Sequence, residues 1–585
     1  MGQHTPNYIL CLALIIPTLL WQGCIPGGHG GGGGGGGGGM GIPGATLTSL
    51  SPSTVVAGGP TFTLTVNGSG FVPGGSLFWN ATGLGNYTFV SSTQVTVQVG
   101  AGLITNPGAA NITAIIPTPR TNPSNPLALN INAFSSSACV LFGSYDFFFT
   151  GFDANGPVTI AGQFGVDANG NVSGEEDFKD LADTHVLQPI TGGSCTNSAT
   201  TNEGTLSITT PTGTSHYTFA TQAKPSPGTN GQMAESGDVN GISGSGRFKF
   251  TPPGAFLSGD YVIAVVGADS SGGRMGIVGR FSDSNTCENC VGTLTSGVGD
   301  INDHANLTSN AELSGNISVP DLYSRSVVTV NLGNQTLQFA FYVVTSQVAF
   351  AVEVDSGISS PLLAGFVSSQ TNAGGYANNY LNAPVVFNTW GAIATPPASD
   401  TSIGLASGFN SAGGTFSLLT DSVSAGIASL NQTVDASYQI ASTGRGTVSY
   451  TTGGKNHSLV LYLDTQNDGY ILDDSGSVGF GFFGAQASGP FSNSTLQGTY
   501  AGGTWFPPAS ISPNFTGTVT LNNGSISGDV TGTYNVNPVS GRGTASVNLP
   551  VFGSNNVVFY IVAPNNFMIM GSDPVSDDTI GFLHL

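Results

Sequence analysis

Four carboxylates, Glu175, Glu176, Asp177 and Asp180, form the densest acidic patch of the chain, just after Asp167-Ala168-Asn169-Gly170-Asn171-Val172-Ser173. Oxygen side chains at alternate positions are what a hard cation such as calcium takes. A helix-loop-helix calcium loop demands glycine at its sixth position, and Val172 stands there, so that reading fails. A looser calcium site at this turn, at Asp473-Asp474 or at Asp577-Asp578 competes with solvated hairpin turns, which are the expected state. Paired acids also serve glycoside hydrolysis when their carboxyls lie about 5 Å or about 6.5–9.5 Å apart. In a repetitive chain, however, an enzyme site should stand out in one copy as an unusual cluster of charge, histidine and aromatics, and the sequence displays no such cluster.

Other catalytic chemistry finds no purchase. The seven histidines, His4, His29, His185, His216, His304, His457 and His584, are scattered singly, and none is followed by glutamate as a zinc helix requires. His216 and His457 precede Tyr-bearing strands at equivalent places, which predicts structural roles. No strand-turn-helix nucleophile elbow is present, and the glycine-rich stretches lack the Gly-Lys-Ser/Thr of a phosphate loop. The expectation is no catalytic residue, no metal and no cofactor.

Of six cysteines, Cys11 lies in the greasy N-terminal segment and Cys24 directly after it. The remaining four, Cys139, Cys195, Cys287 and Cys290, are an even count, which in an oxidising compartment predicts two disulfides. Locality favours Cys139 with Cys195 and Cys287 with Cys290, although four cysteines permit three pairings. A zinc or redox role for Cys287-Glu-Asn-Cys290 is the rival, but no second pair accompanies it and Val-Gly-Thr-Leu-Thr follows where a redox motif needs a helix.

The apolar stretch from Tyr8 to Trp21 is too short for a bilayer, which takes roughly 20 apolar residues, and suits a secretory signal instead. Leu20-Trp21-Gln22-Gly23-Cys24 resembles the lipobox of bacterial lipoproteins, which implies residues 1–23 as signal peptide and diacylglycerol on Cys24. An ordinary cleaved signal and an uncleaved anchor are the alternatives. Residues 24–45 include ten consecutive glycines, Gly30 to Gly39, and read as a flexible tether with a span of roughly 25 Å.

Composition sets the class. With 11 basic and 32 acidic residues and 88 glycines, the chain is built for turns and half-buried strands rather than helices. Its net charge of −21 would repel phosphate backbones, so nucleic-acid binding is excluded. Val, Thr, Phe and Tyr alternate with small polar residues throughout, and the apolar content of 39% suffices for cores, so an all-β, multidomain protein follows.

Between residues 46 and 133, the words Ser51-Pro52, Ala57-Gly58-Gly59, Phe62-Thr63-Leu64-Thr65-Val66, Gly68-Ser69-Gly70-Phe71, Trp79-Asn80 and Ser92-Thr93-Gln94 occur in order, with Pro126-Leu127-Ala128-Leu129-Asn130-Ile131 as a last strand. The segment resembles the IPT/TIG family of immunoglobulin-like domains. That resemblance implies a small β-sandwich acting as spacer or binding module, with no catalytic residues and with Trp79 in its core. Beyond it, self-similarity dominates. Leu141-x-Gly143-x-Tyr145, Leu257-x-Gly259-x-Tyr261 and Leu496-x-Gly498-x-Tyr500 share one pattern, and Val386-x-Asn388-x-Trp390 is read as a worn fourth copy. Arg325, Arg445 and Arg542 precede Tyr342, Tyr462 and Tyr560 by 17 or 18 residues. Four units follow, 138–252, 253–370, 383–488 and 490–585, each an antiparallel meander of about eight strands. Such a meander closes as a small β-barrel or barrel-like sandwich to protect its edges, the alternative being sheets shared between units. The opening Tyr and closing Phe of each copy are expected to pair across the seam. These units resemble repeats of acidobacterial-type exported surface proteins, which implies surface location and no particular activity.

The functional expectation is a non-enzymatic, lipid-anchored protein of the outer membrane or cell surface, or a secreted one. Its role would be adhesive or structural, in contact with polysaccharide or with envelope or extracellular protein. The alternatives are a carrier of a small apolar ligand inside the barrels and an extracellular hydrolase.

Overall fold

Alternation at period two governs the chain from Gly44 onward, and among the described residues there are 42 strands, three short 3-10 turns and no α-helix. The computed structural model describes residues 44–584 except 118–121, 136, 198–201, 222–229, 236–241, 288–289, 305, 357–359, 372–374, 395–396, 474–476, 505–515, 550–552 and 573–579. The signal segment, Cys24 and the glycine tether therefore lie outside the described residues, as do Asp474 and Asp577-Asp578. No helix among the described residues is long and apolar enough to cross a membrane.

The N-terminal unit is a two-sheet sandwich. One sheet holds Thr46–Ser51, Phe62–Ser69, Gln94–Val99 and Thr88–Ser91. The other holds Thr54–Val56, Leu127–Asn132, Gly108–Ile115, Ser76–Trp79 and Thr82–Asn86. Leu64, Val66, Leu77, Val95, Ile112 and Leu129 alternate inward from both sheets, and Trp79 fills the core with them.

Four up-and-down barrels follow, their strands paired in chain order. Barrel 2 comprises Gly259–Ala268, Arg274–Asp283, Gly292–Asp303, Asn306–Ile317, Arg325–Leu332, Gln335–Thr345, Val348–Glu353 and Leu362–Ser369, with the first and last strands paired. Barrel 3 runs from Val385–Ala394 to Ser477–Ala485 and barrel 4 from Gly498–Thr504 to Ile580–His584, both closed in the same way. Barrel 1, from Gly143–Asp153 to Ser243–Phe250, is nearly closed: its fourth strand breaks into Thr184–Ile190 and Gly192–Asn197, and an Asn171–Ser194 bridge spans the break. Each unit has a sheet of its own, and among the described residues no sheet is shared between units.

Alternation decides what lines each barrel. Tyr145, Phe147 and Phe149 point inward in barrel 1, as Tyr261, Ile263 and Val265 do in barrel 2, and each interior is a separate apolar cluster. In barrel 3 the inward positions are Val385 and Phe387, whereas Trp390 points outward into contact with other barrels. The true third copy of the opening motif is therefore Leu381-x-Ala383-x-Val385: Leu381 is 3% exposed, like Leu141, Leu257 and Leu496, which are all nearly inaccessible. Tyr261 and Tyr500 donate to carbonyls of the sixth-to-seventh-strand turn, Ser346 and Pro564. Barrel 3 lacks that hydroxyl, and Asn467 of the same turn accepts from the Asn382 and Ala383 amides instead. The aromatic seam is present in barrel 1, where Tyr145 packs edge-on against Phe248 and Phe250, and on the outer face of barrel 3, where Trp390 packs edge-on against Phe480 and Phe482. In barrel 2 the closing Phe366 stands opposite Ala264 on the outer face, so it joins the contact between barrels rather than the interior.

Outward faces build the second level of structure. The first two strands of each of barrels 1 to 3 lie against the sixth to eighth strands of the next, and those of barrel 4 return to Gly213–Thr221 and Gly231–Glu235 of barrel 1. One apolar cluster runs continuously from Phe148 and Ala161 of barrel 1 through Val262, Tyr342, Trp390 and Tyr462 to Tyr560 and Met570 of barrel 4. The returning contact is different: its buried residues are Ala220, Thr221, Gln232, Ala234, Ala501 and Thr518.

Candidate functional site

Three of the four contacts between barrels carry the same buried ion cluster. Arg325 Nε and a terminal nitrogen grip Asp177 at 2.6 and 3.0 Å, and Tyr342 donates to the same carboxylate at 2.8 Å. Arg445 and Tyr462 hold Asp300, and Arg542 and Tyr560 hold Asp421, with distances of 2.6 to 2.8 Å. Each aspartate comes from the third strand of one barrel, and each Arg and Tyr are directly opposed on the fifth and sixth strands of the next. The aspartates also accept a backbone N–H ten residues downstream, from Leu187, Asn310 or Asn431, all held at φ between +54° and +57°. Fork-on-carboxylate geometry with a third donor is what makes burial of a charge tolerable. Burial, then the adjoining carboxylate charge, raises the Tyr462 and Tyr560 hydroxyls well above their ordinary range, so both remain donors.

The fourth contact breaks the rule. Glu203 and Ala220 occupy the places of Arg and Tyr in barrel 1, paired across strands in the same way. Thr518 of barrel 4 donates to Glu203 at 2.6 Å, and its amide donates to Asp529 at 2.7 Å.

A second departure opens a cleft where the sandwich, barrel 1 and barrel 2 meet. In barrel 3 three neighbouring outward positions on strands one to three are Val386, Leu405 and Leu419, and in barrel 2 they are Val262, Arg280 and Val298. Barrel 1 has Asp146, Gln163 and Glu175 there, a polar row across three strands. Just after the last strand, Gln370 and Gln486 of barrels 2 and 3 donate to two carbonyls each of the following barrel. Barrel 1 has the shorter Thr251, which makes no such bridge and instead accepts the Asp146 amide at 3.0 Å. The result is a cavity of about 340 Å³ lined by Leu84, Gln98 and Gly100–Leu103 of the sandwich, by Ser144, Gln163, Thr251 and Pro253, and by Asp321, Leu322 and Ser324 of barrel 2. Gly165 makes the approach of the sandwich possible, since a Cβ there would lie 2.2 Å from the Pro60 side chain.

Polar groups around this cleft are incompletely paired. Gln163 donates to Asp146 at 2.7 Å and to Ser324 at 3.4 Å, while the other Asp146 oxygen, the Ser144 hydroxyl and one Glu175 oxygen are buried without a partner. Burial pushes the Asp146 carboxyl up to about 8. Burial, then the charge and hydrogen bond of Asp321, raise Glu175 to about 9. Ser324 adopts φ +62° where barrels 3 and 4 place Gly444 and Gly541 at φ +86° and +67°, an uncommon conformation for a residue with a side chain.

The acids singled out in the sequence thus part company. Glu175 edges the cleft, Asp177 joins barrels 1 and 2, and Glu176 points into barrel 1 opposite Gly162, where burial raises it to about 8. Asp180 accepts from Asn155 and from the Ala182 and Asp183 amides. Asp167 spends both oxygens on its own turn, accepting from the Asn169 and Asn171 amides and from the Asn171 side chain, so the loop closes on itself. His457 stacks on Tyr450 with 4.6 Å between ring centroids. Among the described residues, three metal-ligating side chains converge only at Asp269, Asp303 and His304, within 4.8 Å of one another. There Asp269 already accepts the Ser271 and Gly273 amides and the Ser271 hydroxyl at one oxygen.

Cys139 is bonded to Cys195 and Cys287 to Cys290. The first bond ties the segment before barrel 1 to the broken fourth strand and closes a loop with a sequence separation of 56. Replacing both cysteines by serine should lower stability by about 2–4 kcal/mol in chemical denaturation; an unchanged midpoint would show that the hydrogen bonds around the break suffice alone.

Neither the family models nor the curated proteins compared with the chain give a match.

Proposed function

We propose that the protein is a non-enzymatic, lipid-anchored surface protein whose barrels present a rigid adhesive or structural face to neutral polysaccharide. In this reading an IPT/TIG-like sandwich and a glycine tether carry four barrels of exported-repeat type away from the membrane. The observation that carries it is a set of exposed hydroxyl and amide ladders. Ser194 and Ser207, Thr196 and Thr205, Ser437 and Ser449, Thr451 and Asn456, Thr499 and Thr520, and Ser546 and Asn556 bond across neighbouring strands at 2.6 to 3.1 Å. Such pairs are uncharged, exposed and held in place by their strands, features that suit a hydroxylated polymer. Among the described residues, the interior of barrel 3 is occupied by side chains: its apolar void, between Leu381, Phe387, Phe416 and Phe483, is about 40 Å³, far below the size of a lipid.

Two measurements test the reading. Metabolic labelling with a fatty acid should mark the wild-type chain and not Cys24→Ala, and protease applied to intact cells should reach the barrels. Co-sedimentation with insoluble neutral polysaccharides, with and without calcium, should retain the protein. Unlabelled chain inaccessible to external protease would sink the proposal.

A further inference from the structure

The cleft between the sandwich and the first two barrels combines polar and apolar walls and is specific to one repeat among the described residues. At the other two triad-bearing contacts, a glutamine side chain reaches across to one carbonyl of the turn before the fifth strand and one within the sixth strand of the next barrel. At the first, that reach is missing and the space is bordered by groups with unused hydrogen-bonding capacity.

We propose that this cleft binds a single uncharged pyranose ring, held through vicinal hydroxyls by Gln163, Ser324, Ser144 and Asp321. The assignment rests on the polysaccharide-contacting reading above and names the place and the ligand class. The hydrogen-bond inventory carries it. Both donor contacts of the Gln163 amide are spent on Asp146 and Ser324, which turns its oxygen into a free acceptor. Ser324 accepts from Gln163 and so keeps its own proton to donate. Ser144, 7% exposed, lines the cleft with a hydroxyl that has no partner. Asp321 uses one oxygen to accept the Tyr323 and Arg325 amides, which fixes the orientation of its carboxylate, and it also hydrogen-bonds Glu175. Adjacent sugar hydroxyls donate and accept at once and match this mixed set, whereas an anion would face the Asp321 carboxylate with no lysine or arginine in the wall. Leu84, Pro253 and Leu322 supply apolar surface for the C–H face of a ring. A cavity of about 340 Å³ lies at the lower end of the range of small-molecule sites, of the order needed for one ring rather than a chain.

Ser324 provides a clean test, because glycine is what barrels 3 and 4 carry at that φ. Ser324→Gly should fold at least as well as the wild type while removing one contact; Gln163→Ala removes another. Saturation-transfer NMR on the full chain would use glucose, galactose, mannose and N-acetylglucosamine as neutral probes, with glucuronic acid and glucosamine as charged ones. The expected result is transfer to a neutral probe and weakening by about 5- to 10-fold in each variant, the equivalent of one hydrogen bond. No transfer to any neutral probe at about 10 mM, preference for a charged probe, or unchanged affinity in both variants would overturn the assignment. If the protein and Ser324→Gly sediment equally with polysaccharide while the monosaccharides give no signal, the cleft proposal fails and the surface reading stands. Absence of sedimentation together with absence of surface exposure counts against the reading itself.

Discussion

Replacing Arg445 by methionine should cost about 3–5 kcal/mol, measured by chemical denaturation, because it strands the Asp300 carboxylate at 0% exposure between barrels 2 and 3. The methionine restores most of the lost volume, so the penalty comes from charge rather than from a void. Asp300 would retain only the Tyr462 hydroxyl and the Asn310 amide, two of its four donors. The triple replacement Asp300→Leu, Arg445→Met, Tyr462→Phe should recover most of the loss, since an apolar set of similar size avoids the desolvation of both ions. A loss under about 1 kcal/mol in the single variant would place this cluster with solvent-exposed ion pairs and remove its claim to hold the barrels together.

Stability should fall as pH rises from about 5 to 8, the reverse of ordinary acid denaturation. Asp146 and Glu176 are raised to about 8 chiefly by burial, and Glu175 to about 9 by burial and by Asp321, against ordinary values near 4. Between those limits the folded chain keeps protons that the unfolded chain releases, so protons bound in the unfolded state minus those bound in the folded state is negative, and stability declines with pH. Each group contributes a limiting slope of about 1.4 kcal/mol per pH unit, fully favourable below the unfolded value and exhausted above the folded one. Lys249, across the strand from Asp146 and lowered to about 8 by burial and Arg247, titrates only at the upper edge of this window. Denaturation midpoints at pH 5, 6, 7 and 8 check the trend. Asp146→Asn and Glu176→Gln should each flatten it, and a midpoint that climbs with pH would refute the argument.

The class of fold was legible because period two is a local property: Val, Thr and Tyr in alternation state both strand and inward face. Repetition was legible for the same reason, and so was the Arg-to-Tyr spacing, which reflects a single hairpin. The acid that completes each cluster was not. Asp177, Asp300 and Asp421 precede their arginines by 148, 145 and 121 residues, because the intervening loops differ in length between barrels. The misplaced third copy has a physical origin too: Trp390 resembles the opening tyrosine in type, but strand parity puts it on the opposite face, and only its partners across the barrel reveal that. Glu175 was conspicuous in sequence. Its neighbours Asp146 and Gln163 were not, because a polar row across three strands lies 12 to 17 residues apart along the chain.

The substitution of Glu203 for arginine where the last barrel meets the first has a consequence for how such a chain evolves. Every barrel presents one face to its successor and another to its predecessor, so duplicating or deleting a unit would leave two unlike faces with nothing to cover them. Any change in unit order would therefore set arginine-bearing and glutamate-bearing faces against partners that do not match them.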